Sequence, residues 1–302
     1  MNPYISIVIT GRNDGYGENF LTRLSVFLKS LDYQVRDYEN LIEVILVEWN
    51  PPENTKQFKD VLEKPINYKL RIITVPKEVH DSLNVKLPLL EFSGKNVGAR
   101  RANAEFVLIT NPDIIFSQQL IDTLARRELL PNCVYRTDRY DYKANGIENL
   151  DPSRYVNHAI ENTFCGHLTK GFHSVLCKID NAKELSDLPY TEINEGVPHT
   201  NASGDFQLLH TSILHAATGL IEVSEPMTHL DSYSLCRFLG RGYRQKMFVS
   251  PECMFHMDHH RRGFSNPYDG SLIGKLLRNE PTEYTETLNW GLENILLPEW
   301  EL

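Results

Sequence analysis

Short apolar runs rich in β-branched residues, each followed by a loop and a stretch of helical period, recur through the first third of this chain and leave few folds open. Ile5-Ser6-Ile7-Val8-Ile9-Thr10, Val44-Ile45-Leu46-Val47, Leu70 to Val75 and Phe106-Val107-Leu108-Ile109-Thr110 are runs of this kind. A strand with no alternating polar face is covered on both sides. Between the first two runs, Phe20, Leu21, Leu24, Phe27, Leu28 and Leu31 fall at helical spacing, which predicts a helix over 19–31. Trp49-Asn50-Pro51-Pro52 ends the second strand, because proline has no backbone N–H to give to a ladder. Further helices are expected over 55–62 and 95–104. Strands alternating with helices imply right-handed crossovers and a mostly parallel sheet with helices on both faces, an α/β fold of Rossmann-like type. Ligands of such sheets bind beyond the carboxyl ends of the strands. Those ends carry Gly11-Arg12-Asn13-Asp14, Glu48 and Asn111-Pro112-Asp113, which reads as one polar cleft.

Beyond about residue 138 the pattern loosens. Residues 138–198 read as long loops with short strands, which in an enzyme usually shape a site. Helices are expected over 205–214 and 232–239, strands over 245–249 and 254–256, and helical or irregular wrapping over 263–302. At 302 residues and 41% hydrophobic content the chain can bury a sizeable core. A net charge of -9 argues against a broad nucleic-acid-binding face, since phosphate neutralisation needs clustered Lys and Arg. No stretch approaches the roughly 20 apolar residues of a membrane span, and no leader pattern precedes Ile5. A soluble, cytoplasmic protein is the expectation. The five cysteines are scattered and lack Cys-x-x-Cys spacing, which points to a reducing compartment and no zinc knuckle.

Asp113 is the leading candidate for chemistry. A carboxylate at a strand end offers hard oxygen to a cation that can grip a diphosphate, although Asn-Pro-Asp can equally form a turn and cap a helix. The run Lys95-Asn96-Val97-Gly98-Ala99-Arg100-Arg101-Ala102-Asn103-Ala104-Glu105, its following strand and Asn111-Pro112-Asp113 resemble the corresponding segment of family-2-like glycosyltransferases of the GT-A fold. There the strand ends in an Asp-x-Asp motif or its Asn-Pro-Asp variant, which holds metal and donor sugar. The opening strand with Thr10 also resembles that family's nucleotide-binding start.

The resemblance implies a single domain over 1–302 with a loop-rich acceptor side: a nucleotide-sugar-binding half (1–117), an acceptor-binding half (118–262) and a wrapping segment (263–302). It implies Thr10, Arg12, Glu48, Asn96, Arg100, Asn111 and Asp113 at the donor, with Arg101 a further phosphate candidate. Asn111 in place of an aspartate leaves Asp113 the one acid of its turn. Asp205 is expected to begin a helix and to serve as general base for an inverting transfer, with Asp231 as the second candidate. A late histidine, His256 or His259 within His256-Met257-Asp258-His259-His260-Arg261-Arg262, is expected to complete a shell for Mn²⁺, or less well Mg²⁺. The partners so implied are a nucleoside diphosphate sugar and a carbohydrate hydroxyl acceptor.

Other activities compete. A sugar-phosphate nucleotidyltransferase would share the fold, but Thr10-Gly11-Arg12-Asn13-Asp14-Gly15 is a thin triphosphate cradle. A metal-dependent hydrolase would use His256, Asp258, His259 and His260 with His229 and Asp231. A non-catalytic sugar-binding module is the remaining alternative.

Overall fold

The computed structural model describes residues 2–170, 173–192, 196–224, 227–260, 269–286 and 289–302. In chain order the strands are β1 Ile5–Gly11, β2 Ile42–Trp49, β3 Lys69–Val75, β4 Phe106–Ile109, β5 Ile114–Phe116, β6 Cys133–Thr137, β7 Arg139–Tyr142, β8 Thr163–Lys170, β9 His173–Lys178, β10 Gln207–His210, β11 Arg244–Phe248, β12 Met254–Met257 and β13 Glu299–Glu301. The helices are α1 Phe20–Gln34, α2 Phe58–Val61, α3 Lys77–Ser82, α4 Glu91–Arg100, α5 Gln118–Ala125, α6 Tyr155–Glu161, α7 Thr211–Ala217, α8 Leu230–Gly240 and α9 Gly270–Leu277.

The expected parallel core forms as β4-β1-β2-β3. It extends to an eight-stranded sheet in the order β11-β6-β10-β4-β1-β2-β3-β13, in which only β10 and β13 run against the rest. The two-sided burial inferred for β1 divides by residue parity. Ile5, Ile7 and Ile9 pack with Phe20, Leu24, Phe27 and Leu31 of α1. Val8, on the other face, packs with Val97 and Ala99 of α4. Each such fully buried side chain contributes about 1.5–3 kcal/mol. Gly98 allows α4 to lie close on the sheet, since a Cβ there would stand 2.5 Å from Val8 Cγ1.

Three expectations are corrected. Residues 138–198 carry β7, α6, β8 and β9, which join β5 and β12 in a second, five-stranded sheet ordered β5-β12-β7-β8-β9. Its outer strand β9 is half to fully exposed and correspondingly polar, so it lacks the apolar run of a buried strand. The helix expected over 205–214 divides into a short turn at 203–205, β10 and α7. Leu208 and Leu209 are both fully buried, against opposite faces of the main sheet, a pattern that a short buried helix and a two-sided strand share. The closing segment ends in β13, antiparallel to β3 and tied by Arg71 Nε to Glu299 Oε1 at 2.6 Å. Arg261 and Arg262 lie outside the described residues. Among the described residues the five cysteines are all unpaired, and no helix is long and apolar enough to cross a membrane.

Gly98→Ala is expected to destabilise the protein by about 1–3 kcal/mol through overpacking against Val8. Urea denaturation checks this: the midpoint should fall while the slope stays the same.

Candidate active site

Asp113 stands where the chain passes from one sheet to the other. β4 ends at Ile109 in the main sheet and β5 begins at Ile114 in the second. β12 pairs antiparallel with β5 so that His256 faces Ile114, and Met257 N–H donates to Asp113 O at 2.9 Å. His259, just beyond β12, returns over the same carboxylate. Its Nε2 is 3.0 Å from Asp113 Oδ2, and His256 Nε2 is 3.9 Å from that atom. One ligand atom from each of Asp113, His256 and His259 lies within 4.8 Å of the other two. Asp113 Oδ1 is buried without a hydrogen-bond partner, a costly state that a bound cation would relieve. Two imidazoles and one carboxylate suit Mn²⁺ better than Mg²⁺. Burial pushes the Asp113 carboxyl up, but His256 and His259 outweigh it and hold the group below its ordinary value.

The loop between β1 and α1 covers this cluster. Arg23 reaches within 3.8 Å of Asp113 Oδ2 and donates to the carbonyls of Tyr16 and Gly17. Tyr16 meets His259 edge-on, with ring centroids 5.7 Å apart. Gly17 has φ +64°, and a Cβ there would stand 2.5 Å from His259 Nδ1. The rest of the late polar run diverges, as alternation along an extended chain requires. Asp258 pairs with Lys143, and His260 is exposed. The four-ligand hydrolase centre is therefore not assembled.

Behind His256 stands a second, buried layer that sequence reasoning missed. His256 Nδ1 is 3.1 Å from Asp141 Oδ1, an arrangement that turns Nε2 toward Asp113. Asp141 also meets His167 Nε2 at 2.8 Å and Arg139 Nε at 2.9 Å, and Arg139 continues to Asp205. Asp141, Cys165 and His167 are close enough to hold an ion, but the Arg139 guanidinium already supplies positive charge there, 3.1 Å from His167 Nε2. Burial raises the Asp141 carboxyl, and hydrogen bonds from His167 and His256 with the charge of Arg139 override it, leaving it far below the carboxylate range. The available signal was alternation: Tyr140 and Tyr142 are buried on one face of β7, and Arg139 and Asp141 share the other.

Asp205 lies in a turn entering β10, not at a helix start. Its oxygens accept from Arg139 Nη1 and, at 2.6 Å, from Asn111 Nδ2. Burial alone would raise its pKa, yet Arg139 and then His256 hold it well below the usual range. Asn111 Oδ1 in turn accepts from Lys95 Nζ at 2.7 Å, so both ends of the Asn111 amide are engaged within the protein. Lys95, a fully buried cation that also binds Glu91 and Gly204 O, holds this turn from beneath, a role that motif reading passed over. Asp231, at the start of α8, accepts through Oδ2 from Ser203 Oγ at 2.8 Å and Gly204 N at 2.7 Å. It remains partly exposed.

Several expected donor residues are placed elsewhere, because α4 runs back against the strands. Its first turns face the cleft, and its last residues reach the opposite edge of the sheet. Arg100 stacks on Trp290 at 4.6 Å and pairs with Glu293. Arg101 donates to the carbonyls of Gly291, Leu292 and Ile295. Asn96 is fully buried and bonds Leu220 and Glu222. Glu48 is also fully buried, accepting from Phe58 N at 2.8 Å and Thr74 Oγ1 at 3.3 Å; desolvation raises its pKa against those bonds. Thr10 is covered by Gly94, where a Cβ would stand 2.4 Å from its Cγ2. Arg12 stays at the site. Its Nε donates to Asn50 O at 2.7 Å, and it borders a cleft of about 560 Å³ beyond the ends of β1, β2 and β3.

No protein-family model matches the chain, and no curated protein matches it. Among solved structures it is similar to S. aureus TarS. The structure of TarS 1-349 in complex with UDP-GlcNAc aligns with 91% of this chain and 65% of that one, at 15% identity and a TM-score of 0.50. TarS 1-349 without a named ligand aligns with 84% and 60%, at 16% identity and TM-score 0.46, and its complex with UDP at 14% and 0.45. The chain thus spans about 60% of the length of TarS 1-349 without a named ligand. At such identities the fold is what is shared: a mixed α/β architecture with a large, mostly parallel sheet.

Asp205→Ala strips Arg139 of one of its two carboxylates and is expected to cost about 3 kcal/mol at pH 7. The Asp205 pKa is depressed in the fold, so its stabilisation is complete above the unfolded carboxylate value of about 3.9 and is lost as the pH falls toward the folded value. Urea titrations should show a constant gap between wild type and variant from pH 5 to 8 that narrows below about pH 4.

Proposed function

We propose that the chain is a glycosyltransferase that moves a sugar from a nucleoside diphosphate sugar to a hydroxyl acceptor, using a divalent cation held by Asp113, His256 and His259. The observation that carries this reading is the convergence of those three side chains, Asp113 just before β5, His256 on the facing end of β12 and His259 from the loop beyond, at the carboxyl edge of the parallel sheet. The fold shared with TarS, a structure of which is in complex with UDP-GlcNAc, supports the same class. Mn²⁺, when bound, would neutralise charge on the departing nucleoside diphosphate.

The protein's own groups divide the remaining work. Asp141 orients His256, and Arg23 fixes the loop that carries Tyr16 and Gly17 over His259. Asp205, with both oxygens taken by Arg139 and Asn111, is a poor proton acceptor and instead holds the Asn-Pro-Asp turn against β10. Proton removal from the acceptor hydroxyl falls to Asp231. Ser203 and Gly204 hold its Oδ2, and the residue remains partly exposed, where an incoming hydroxyl can meet it. This reverses the order inferred from sequence and keeps the inverting outcome: a carboxylate base activating the incoming hydroxyl.

Two variants test the assignment. Asp113→Ala should abolish saturable Mn²⁺ binding in calorimetry and abolish UDP-sugar turnover. Asp231→Asn should lower kcat by about 10²–10⁴-fold while leaving Mn²⁺ and UDP binding near wild type. Undiminished turnover in both would rule the mechanism out.

A further inference from the structure

The cleft bordered by Arg12, Asn50, Pro52, His80, Lys86 and Pro88 contains two polar side chains whose hydrogen-bonding sense is fixed from behind. The first is His80, in α3. The indole N–H of fully buried Trp49 points at His80 Nδ1, 3.0 Å away. An indole N–H can only donate, so His80 Nδ1 is the acceptor and the proton of the neutral ring sits on Nε2. Burial lowers the His80 pKa, which keeps the ring neutral. The second is Asn50, at the end of β2. Its Nδ2 donates to Pro88 O at 3.1 Å. A carbonyl cannot donate, so the amide cannot be turned round, and Oδ1 is left as an acceptor. His80 and Asn50 thus offer the cleft an N–H donor and a carbonyl acceptor, each held in that sense by a fixed partner, Trp49 for His80 and Pro88 for Asn50.

We infer that this pair selects a nucleobase with a keto edge, His80 Nε2–H donating to the ring carbonyl and Asn50 Oδ1 accepting from the adjacent imide N–H. Uracil presents that pattern at O4 and N3–H, and guanine presents it at O6 and N1–H. Cytosine and adenine carry an amino group and a bare ring nitrogen instead. They would set donor against donor and acceptor against acceptor, leaving buried groups unpaired, which is how polar sites reject a near-isostere. The inference rests on the nucleotide-sugar reading above and adds to it which bases are accepted. Glu48, at the end of β2, is turned inward to Phe58 and Thr74, and of the acids that border the cleft Asp81 is paired with Lys77.

The test is calorimetric titration of the whole chain, with Mn²⁺ present, with UDP, GDP, CDP and ADP. Wild type should favour UDP over CDP by about tenfold or more, and the GDP arm separates uracil from guanine as the accepted keto base. His80→Ala should weaken UDP about tenfold and level UDP with CDP, whereas His80→Gln, which keeps an N–H near the Nε2 position, should retain the preference. Trp49→Phe releases the ring to its other tautomer and should raise CDP affinity relative to UDP; circular dichroism checks that each variant is folded. Wild-type preference persisting in both His80→Ala and Trp49→Phe overturns the inference while leaving the nucleotide-sugar reading intact. Failure of wild type to bind any of the four nucleotides overturns both.

Discussion

A single buried guanidinium, Arg139, joins the two sheets of this protein where the candidate cation ligands meet. It sits at the start of β7 and binds Asp205, which enters β10 of the main sheet, and Asp141, two residues along its own strand in the second sheet. Taking three charged groups out of water is expensive, and the arrangement persists only because nearly every charged atom has a partner. The consequence reaches the surface of the site. Asp141 is free to orient His256 because Arg139 neutralises it from behind, and Asp205 is free to hold Asn111 for the same reason. The position of Asp113, between Asn111 and β5, follows from both.

The acidic balance of the chain takes on a different meaning in this light. A net charge of -9 argues against a broad phosphate-binding face, yet the site concentrates Arg23, Lys95, Arg136 and Arg139 beneath its carboxylates, all of them buried. Arg136 is fully enclosed; burial brings it down to about 10, and it is satisfied by the carbonyls of His199, Asn201 and Ser203. These cations are structural counter-charges to the acids around them. The side chains to which the chemistry is assigned are instead few: Arg12, Asn50 and His80 at the cleft beyond β1, β2 and β3, and Asp113, His256 and His259 in the cluster beside β5. Selectivity in such a site comes from fixed donors and acceptors more than from net charge.

The direction of α4 explains why the segment that most resembled a known motif placed its residues unevenly. Gly94 and Gly98 let the helix press on Thr10 and Val8, and the helix then runs away from the carboxyl edge of the sheet. Lys95 in its first half therefore reaches Asn111. Arg100 and Arg101 at its end instead clamp the carbonyls and Trp290 of the closing segment. A motif fixes residue identity along the chain, whereas helix polarity decides which of those residues face the ligand.

The sequence alone indicated a mostly parallel core built on the first four apolar runs and a polar cleft at its carboxyl edge, because two-sided burial writes apolar runs into each strand and residues next to strand ends share that edge. Asp113 with His256 or His259 as metal ligands came from the resemblance, not from the strand pattern. The sequence did not reveal the second sheet, whose outer strands β8 and β9 are partly exposed and carry a polar pattern like that of loops. It also did not reveal β10, whose buried leucines suit a helix as well as a strand. Tertiary structure alone decided which carboxylate is buried in an ion pair and which stays partly exposed, separating Asp205 from Asp231. It likewise turned Glu48 inward and His80 toward the cleft. The reason is physical: a side chain's exposure, protonation and hydrogen-bonding sense depend on neighbours brought from distant parts of the chain, as Trp49 fixes His80 and Arg139 fixes Asp205, and no local pattern of residues encodes them.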